Sequence, residues 1–269
     1  MRGDIVGTQI NGFVIAPGFE LPADIDGDGV TNDLTAVFAP GTGTTSSFSV
    51  RGNLTGSVTL GGALLETRIT GDANHADFRT GGSADDIANY VFGNTDNSSI
   101  TTAQRIGTLR AANWRVSETA RKTITAPQMN SLSVTGAGGA AGVFEAQLTL
   151  TGAVQGSPST VRTLGTASIK GGVYSSTWTI SGNTGSLNVG PTADRWTLSV
   201  TGNALSVRMG RAVSTNVTVT GDVSSFRATE WFTGRARAGT FRDVRVSPGR
   251  GAEGGDGSFE GTIDTTNTT

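Results

Sequence analysis

Short strands recur in this chain at a nearly constant interval, and each closes at or near a glycine. "SLSVTG" at 131, "QLTLTG" at 147, "TASIKG" at 166, "TWTISG" at 177, "TLSVTG" at 197 and "NVTVTG" at 216 all alternate an apolar residue with a small polar one. Such alternation gives a strand one buried and one solvated face, and the glycine supplies the turn that follows. The apolar members form two series. One runs Val116, Val134, Leu150, Ile169, Val189, Val207, Phe226, Val246; the other runs Ile69, Ile87, Ile106, Ile124, Val143, Val161, Ile180, Val200, Val219, with Phe241 a looser last member. Within each series the step is mostly about 18–20 residues, inside the range of repeat architectures.

A strand of four to six residues cannot bury its apolar face alone. If each coil contributes two or three strands and stacks on the one before, the strands form parallel sheets around a shared apolar interior. The expected fold is therefore all-β, a parallel β-solenoid (β-helix) with coils of about 18–20 residues, about 50 Å long for ten coils at the strand spacing. A β-sandwich, with strands every 8–12 residues or so, is the alternative. A thin rod also accounts for an apolar fraction of only 35% and for 40 glycines in 269 residues. The period divides the chain into an N-terminal segment, 1–49, a solenoid, 50–250, and a glycine-rich tail or linker, 251–269.

Composition closes off several chemistries. With no cysteine there is no disulfide scaffold, thiol nucleophile or thiolate metal site, and with one histidine, His75, there is no His-rich metal centre. No apolar run is long enough to span a membrane, and the start "MRGDIVGTQINGF" lacks the regions of a signal peptide. The chain is then either cytoplasmic or, as favoured, a segment of a longer exported protein located outside the cell or on its surface. Charge is uneven: residues 1–96 hold 12 acids against 4 arginines, and residues 97–250 hold 16 bases against 6 acids. The later part is expected to attract polyanions or an acidic neighbour, although scattered solvated arginines are the plainer reading. No nucleic-acid partner is expected.

The most pointed chemistry is "DIDGDGVTND" at 24–33. Asp24, Asp26 and Asp28 alternate, Gly29 allows a sharp turn, Val30 offers a carbonyl, and Asn32 or Asp33 could complete a shell. Calcium takes six to eight hard oxygen ligands, and without a cation these acids would repel one another. The run resembles the calcium loops of dockerin-like, thrombospondin type 3-like and FG-GAP-type repeats, with Thr35 where an EF-hand would place its bidentate glutamate. The resemblance implies bound Ca2+ in a structural role. Residues 50–250 resemble, in style, the β-helical repeat regions of large secreted bacterial surface proteins, including autotransporter-like adhesins. That resemblance implies export and a structural or adhesive task, through self-association or contact with a polysaccharide.

A β-helical polysaccharide lyase or glycoside hydrolase is the rival, and it would need paired carboxylates as catalysts. Asp85 and Asp86 with "NTD" at 94–96 resemble pieces of polygalacturonase sites, but in reversed order and without the elements that should follow. Asp72, Asp77 and Arg79 are the nearest approach to a lyase-like grouping. His75 reads as an exposed turn residue, "GAGGAAG" at 136–142 as a loop and "RGD" at 2–4 as a chance tripeptide. No catalytic residue is expected. Trp114, Trp178 and Trp196 lie at even offsets from Val116, Ile180 and Val200, which turns them inward. Trp231, among Arg227, Arg235 and Arg237, reads as an exposed aromatic in a glycan or polyanion contact. Lastly, Thr177, Thr179 and Ser181, Thr197, Ser199 and Thr201, and Asn216, Thr218 and Thr220 would stack into a hydroxyl ladder over three coils, as on an ice-binding solenoid.

Overall fold

A computed structural model describes residues 43–119, 122–152, 162–248 and 257–266, together with the backbone of 4–5. It is a parallel β-solenoid of about ten turns, all-β and without a helix among the described residues. Every strand pairing is parallel except that of Asp4–Ile5, which runs antiparallel beside Thr45–Arg51 at the N-terminal edge. Uniformly parallel pairing between successive coils rules out the sandwich, whose sheets are antiparallel.

Each full coil has three sides. The first sheet begins with Thr45–Arg51 and Leu64–Ile69 and continues through Ile87–Phe92, Arg105–Ala111, Met129–Val134, Arg162–Ile169, Asn183–Val189 and Ala204–Arg208 to Val244–Val246. The second begins with Leu54–Leu60 and Ala73–Thr80 and continues through Thr123–Ala126, Gln147–Leu150, Thr177–Ile180, Thr197–Val200 and Gly234–Phe241 to Thr262–Thr265. Thr215–Ala228 is long enough to bend from the second sheet into the first, with its register shift between Val219 and Asp222. Parallel pairing thus starts at Thr45 and includes Thr262–Thr265, on either side of the stretch where the sequence period is plainest.

The third sheet escaped the sequence reading. It stacks strands of only two or three residues, Asn94–Asp96, Asn113–Arg115, Val143–Phe144, Gly172–Tyr174, Thr192–Asp194, Arg211–Val213 and Glu230–Trp231. Four of these strands end at a residue in the left-handed region: Asn97, Ser175, Arg195 and Ser214 follow them directly, with φ of 47 to 51°. His75 does the same after Ala73 and Asn74, with φ of 53°. One left-handed residue turns the chain sharply into the second sheet, at a backbone cost on the order of 1–3 kcal/mol for a residue with a β-carbon. Because the corner recurs coil after coil, stacking of the flanking strands must hold it.

The interior is a largely apolar column. Inward positions of the second sheet read Val58, Phe78, Ile100, Ile124, Leu148, Trp178, Leu198, Val217 and Ala236, all in register. Aromatic rings form a spine along it: Phe78 to Phe92 at 5.5 Å between centroids, Phe92 to Trp114 at 5.5 Å, Trp114 to Phe144 at 6.3 Å, Phe144 to Trp178 at 5.5 Å and Trp178 to Trp196 at 5.2 Å. Such tilted and edge-on pairs contribute about 0.5–1.5 kcal/mol each beyond burial.

Several members of the sequence series are corrected: Ile69 and Ile106 belong to the first sheet, apart from Ile124, Ile180 and Val200 on the second, and two others do not fill the interior. Ile87 is 41% exposed, because its strand alternates with Ala88, Tyr90 and Phe92 inward and so leaves Ile87 on the outer face. Val143 is only half-buried, and its neighbour Phe144 fills the interior. Val161 lies outside the described residues.

Candidate anion-binding cleft

On the outer face of the first sheet, in-register stacking converts a sequence interval of one coil into side-by-side neighbours. Asn188 stands beside Arg208, Arg208 beside Arg227, and Arg227 beside Arg245. Three guanidinium stems therefore rise from adjacent strands at a spacing of about 4.8 Å. They open onto a cleft of about 420 Å³ near the C-terminal end, floored by Met209 and Ala228 and edged by Thr229, Ser247 and Pro248.

Among the described residues, Asp243 is the one acid drawn into this group. Its Oδ1 accepts a hydrogen bond from Arg245 Nε at 3.1 Å, and its Oδ2 accepts one from an Arg227 terminal nitrogen at 3.1 Å. Those donors, Arg245 foremost, hold the Asp243 carboxyl below its ordinary value against a smaller opposing effect of lost hydration. Arg227 Nε also donates to Ser225 Oγ at 3.2 Å. Arg208 has no ion pair or side-chain hydrogen bond among the described residues. Among the described residues one carboxylate faces three guanidinium groups, an excess of two positive charges at the cleft. Like charges directly abreast on a sheet are destabilising.

The sequence placed Trp231 at such a contact, and this is corrected. Trp231 is fully buried, because it belongs to a third-sheet strand, sits in register with Ala212 and packs its ring against Phe226 at 5.2 Å. Of the arginines grouped with it, Arg227 belongs to the cleft. Arg235 and Arg237 lie one coil beyond Asn216 and Thr218 on the second sheet, with Arg235 Nε bonded to Asp264. Trp114, Trp178 and Trp196 are buried as expected. The loop of Asp24, Asp26, Asp28, Val30, Asn32 and Asp33 lies outside the described residues.

The other singled-out groups are engaged in joining coils. Asp72 accepts from Asn94 at 3.0 Å, and Asn94 in turn accepts from Asn113 at 2.8 Å. Asp77 accepts from Ser99 at 2.6 Å and lies 3.6 Å from Lys122. Asp96 takes both the backbone N–H and the hydroxyl of Ser117, at 3.0 and 2.7 Å. Asp86 caps its own turn through Ser83, at 2.8 and 3.0 Å. His75 is exposed and has a partner that no sequence interval suggested, Glu118, 2.6 Å from its Nε2.

The hydroxyl ladder is longer than three coils. One outward column of the second sheet reads Thr101, Thr125, Thr149, Thr179, Ser199, Thr218; the column beside it reads Ser99, Thr123, Gln147, Thr177, Thr197, Asn216. Neither contains a charge over six coils. Asp77 and Arg79 close them at one end, Arg235 and Arg237 at the other.

No protein-family model, no curated protein and no solved structure matches the chain. The class is defined by its own geometry: a three-sided parallel β-solenoid with a basic cleft on one face and an uncharged hydroxyl face on another.

Proposed function

We propose that this solenoid is a non-enzymatic structural or adhesive segment of a secreted or cell-surface protein, stabilised by Ca2+ at residues 24–33 and contacting polysaccharide. One observation carries the reading over the rival lyase or hydrolase. Of the carboxylates weighed against glycan cleavage, Asp72, Asp77, Asp86 and Asp96 each hold a turn or an adjacent coil through hydrogen bonds of 2.6 to 3.0 Å, which leaves the exposed Asp85 without a second free carboxylate to pair with among them. A general acid or base must be free to exchange its proton with substrate. Incubation with a panel of acidic and neutral polysaccharides is expected to release no new reducing or unsaturated ends. Specific turnover, lost on replacing Asp77 or Asp96, would overturn the reading.

A second reading, ice binding, has its own support in the six-coil uncharged face. Threonine presents a methyl and a hydroxyl at each point of a flat grid set by strand spacing and side-chain alternation. Against it, the first sheet also carries a hydroxyl column, Thr108, Ser131, Thr166, Ser186, Ser206 and Ser225, so outward hydroxyls are common to this chain. Ice-crystal shaping that vanishes in Thr149→Arg would establish it; unshaped growth with the wild type would remove it.

A further inference from the structure

The geometry points to the Arg208–Arg227–Arg245 cleft as a binding site for an acidic polysaccharide, read through the carboxylate or sulfate groups on successive sugars. This deepens the adhesive reading and rests on it.

Stacked guanidinium groups repel one another, and among the described residues a single acid, Asp243, offsets three of them. An added anionic ligand would relieve this repulsion, and Arg208, with no side-chain partner among the described residues, has its full set of donors available for one. Guanidinium binds planar carboxylates and sulfate oxygens through paired N–H donors, which favours oxyanions over neutral sugar hydroxyls. The arginines stand in a row along the rod at a spacing of about 4.8 Å, comparable to the advance of one sugar unit in an extended pyranose chain. The opening of about 420 Å³ lies within the range of about 300–1,000 Å³ for small-molecule sites. Thr229 and Ser247 at its edge supply hydroxyls for ring oxygens and alcohols.

The lining also separates this ligand from a nucleic acid. Single strands are held by bases stacked on aromatic side chains, and no aromatic residue lines the cleft, since Trp231 and Phe226 beneath it are buried.

The test is affinity electrophoresis of the full chain in gels containing polygalacturonate, dextran sulfate or neutral dextran, with a single-stranded oligodeoxynucleotide as competitor. Retention is expected with one or both acidic polymers and not with dextran, weakening as salt rises. Arg208→Gln, an exposed side chain whose loss disturbs no native contact, should weaken retention about tenfold, the size of one charge-assisted hydrogen bond. Arg245→Gln should act in the same direction, and Arg195→Gln, on a corner away from the cleft, should change nothing. Unchanged retention of the Arg208→Gln/Arg245→Gln double variant, absence of retention in both acidic gels, or displacement by the oligonucleotide at equal charge would each overturn the assignment. Release of new sugar ends would instead overturn only the non-enzymatic reading, since binding and its loss in the variants are scored separately.

Discussion

Gly261 lies flat against the indole of Trp231: a β-carbon at that position would stand 2.1 Å from Cδ1 and Nε1 of the ring. The strand that follows, Thr262–Thr265, is the last on the second sheet. Gly261→Ala must therefore push the ring or the strand away. Overpacking of this kind costs about 1–3 kcal/mol. Because each coil contacts only its neighbours, the expected readout is loss of hydrogen-exchange protection at 262–265 and altered Trp231 fluorescence, with the middle coils unaffected.

Ser176 is a fully buried hydroxyl that accepts the Trp178 indole N–H at 2.9 Å and donates to the carbonyl of Ala146 in the neighbouring coil. Ser176→Ala leaves both partners buried and unpaired. Each unsatisfied group costs about 1–3 kcal/mol. Chemical denaturation should show a lower midpoint, and Ser176→Cys should recover less of it than the serine, because a thiol is the weaker donor and acceptor.

Tyr90 gives the stability an alkaline limit. Burial pushes its phenol above the ordinary value, and the hydroxyls of Thr80 and Thr102, which face it without closing a hydrogen bond, pull it only partly back. The folded chain holds this proton to higher pH than the unfolded chain, so its contribution is complete below about pH 10 and is lost as pH rises through the raised folded value. Thermal unfolding followed from pH 8 upward should therefore show a decline beginning near pH 10 in the wild type. Tyr90→Phe should shrink that decline and leave neutral-pH stability equal or better, since it removes a buried hydroxyl without a partner.

The calcium proposal stands on Asp24, Asp26 and Asp28. Chelation should lower the melting temperature and expose 24–33 to protease, and Asp26→Ala should weaken calcium binding by at least about tenfold, as expected for loss of one carboxylate ligand. Unchanged melting under chelation, or unchanged calcium affinity in the variant, would remove calcium from the reading.

The sequence period was legible because Val134, Ile169, Val189, Val207 and Phe226 do share the inner face of one sheet. What misled was a fixed step applied across coils of unequal length. Leu150, placed in that series, belongs to the second sheet, because the chain between Val134 and Val143 forms a loop and delays the next first-sheet strand to Arg162–Ile169. The third sheet was illegible for a different reason. A strand of two or three residues sends one side chain inward, Trp114, Phe144, Val173, Ala193, Ala212 or Trp231, and a single residue displays no alternation. Trp231 was misread on that account. The arginine column was within reach, since Arg208 and Arg227 directly follow the inward Val207 and Phe226. Its third member was hidden because Val244, rather than Val246, is the register partner of Phe226.

The left-handed corner residues carry a consequence for how the rod can vary. Asn97, Ser175, Arg195 and Ser214 make the same bend at the same point of different coils, so a coil is an interchangeable unit whose ends already match its neighbours. Excision of residues 183–202 would put Asn203 in the place of Asn183 and bring Ala204–Arg208 onto Arg162–Ile169 with the same inward and outward alternation, and would shift the three arginines about 4.8 Å toward the N-terminal end. Distance along the molecule is thus counted in whole coils, and the cleft can be placed at any rung of the ladder without redesigning what lies inside it.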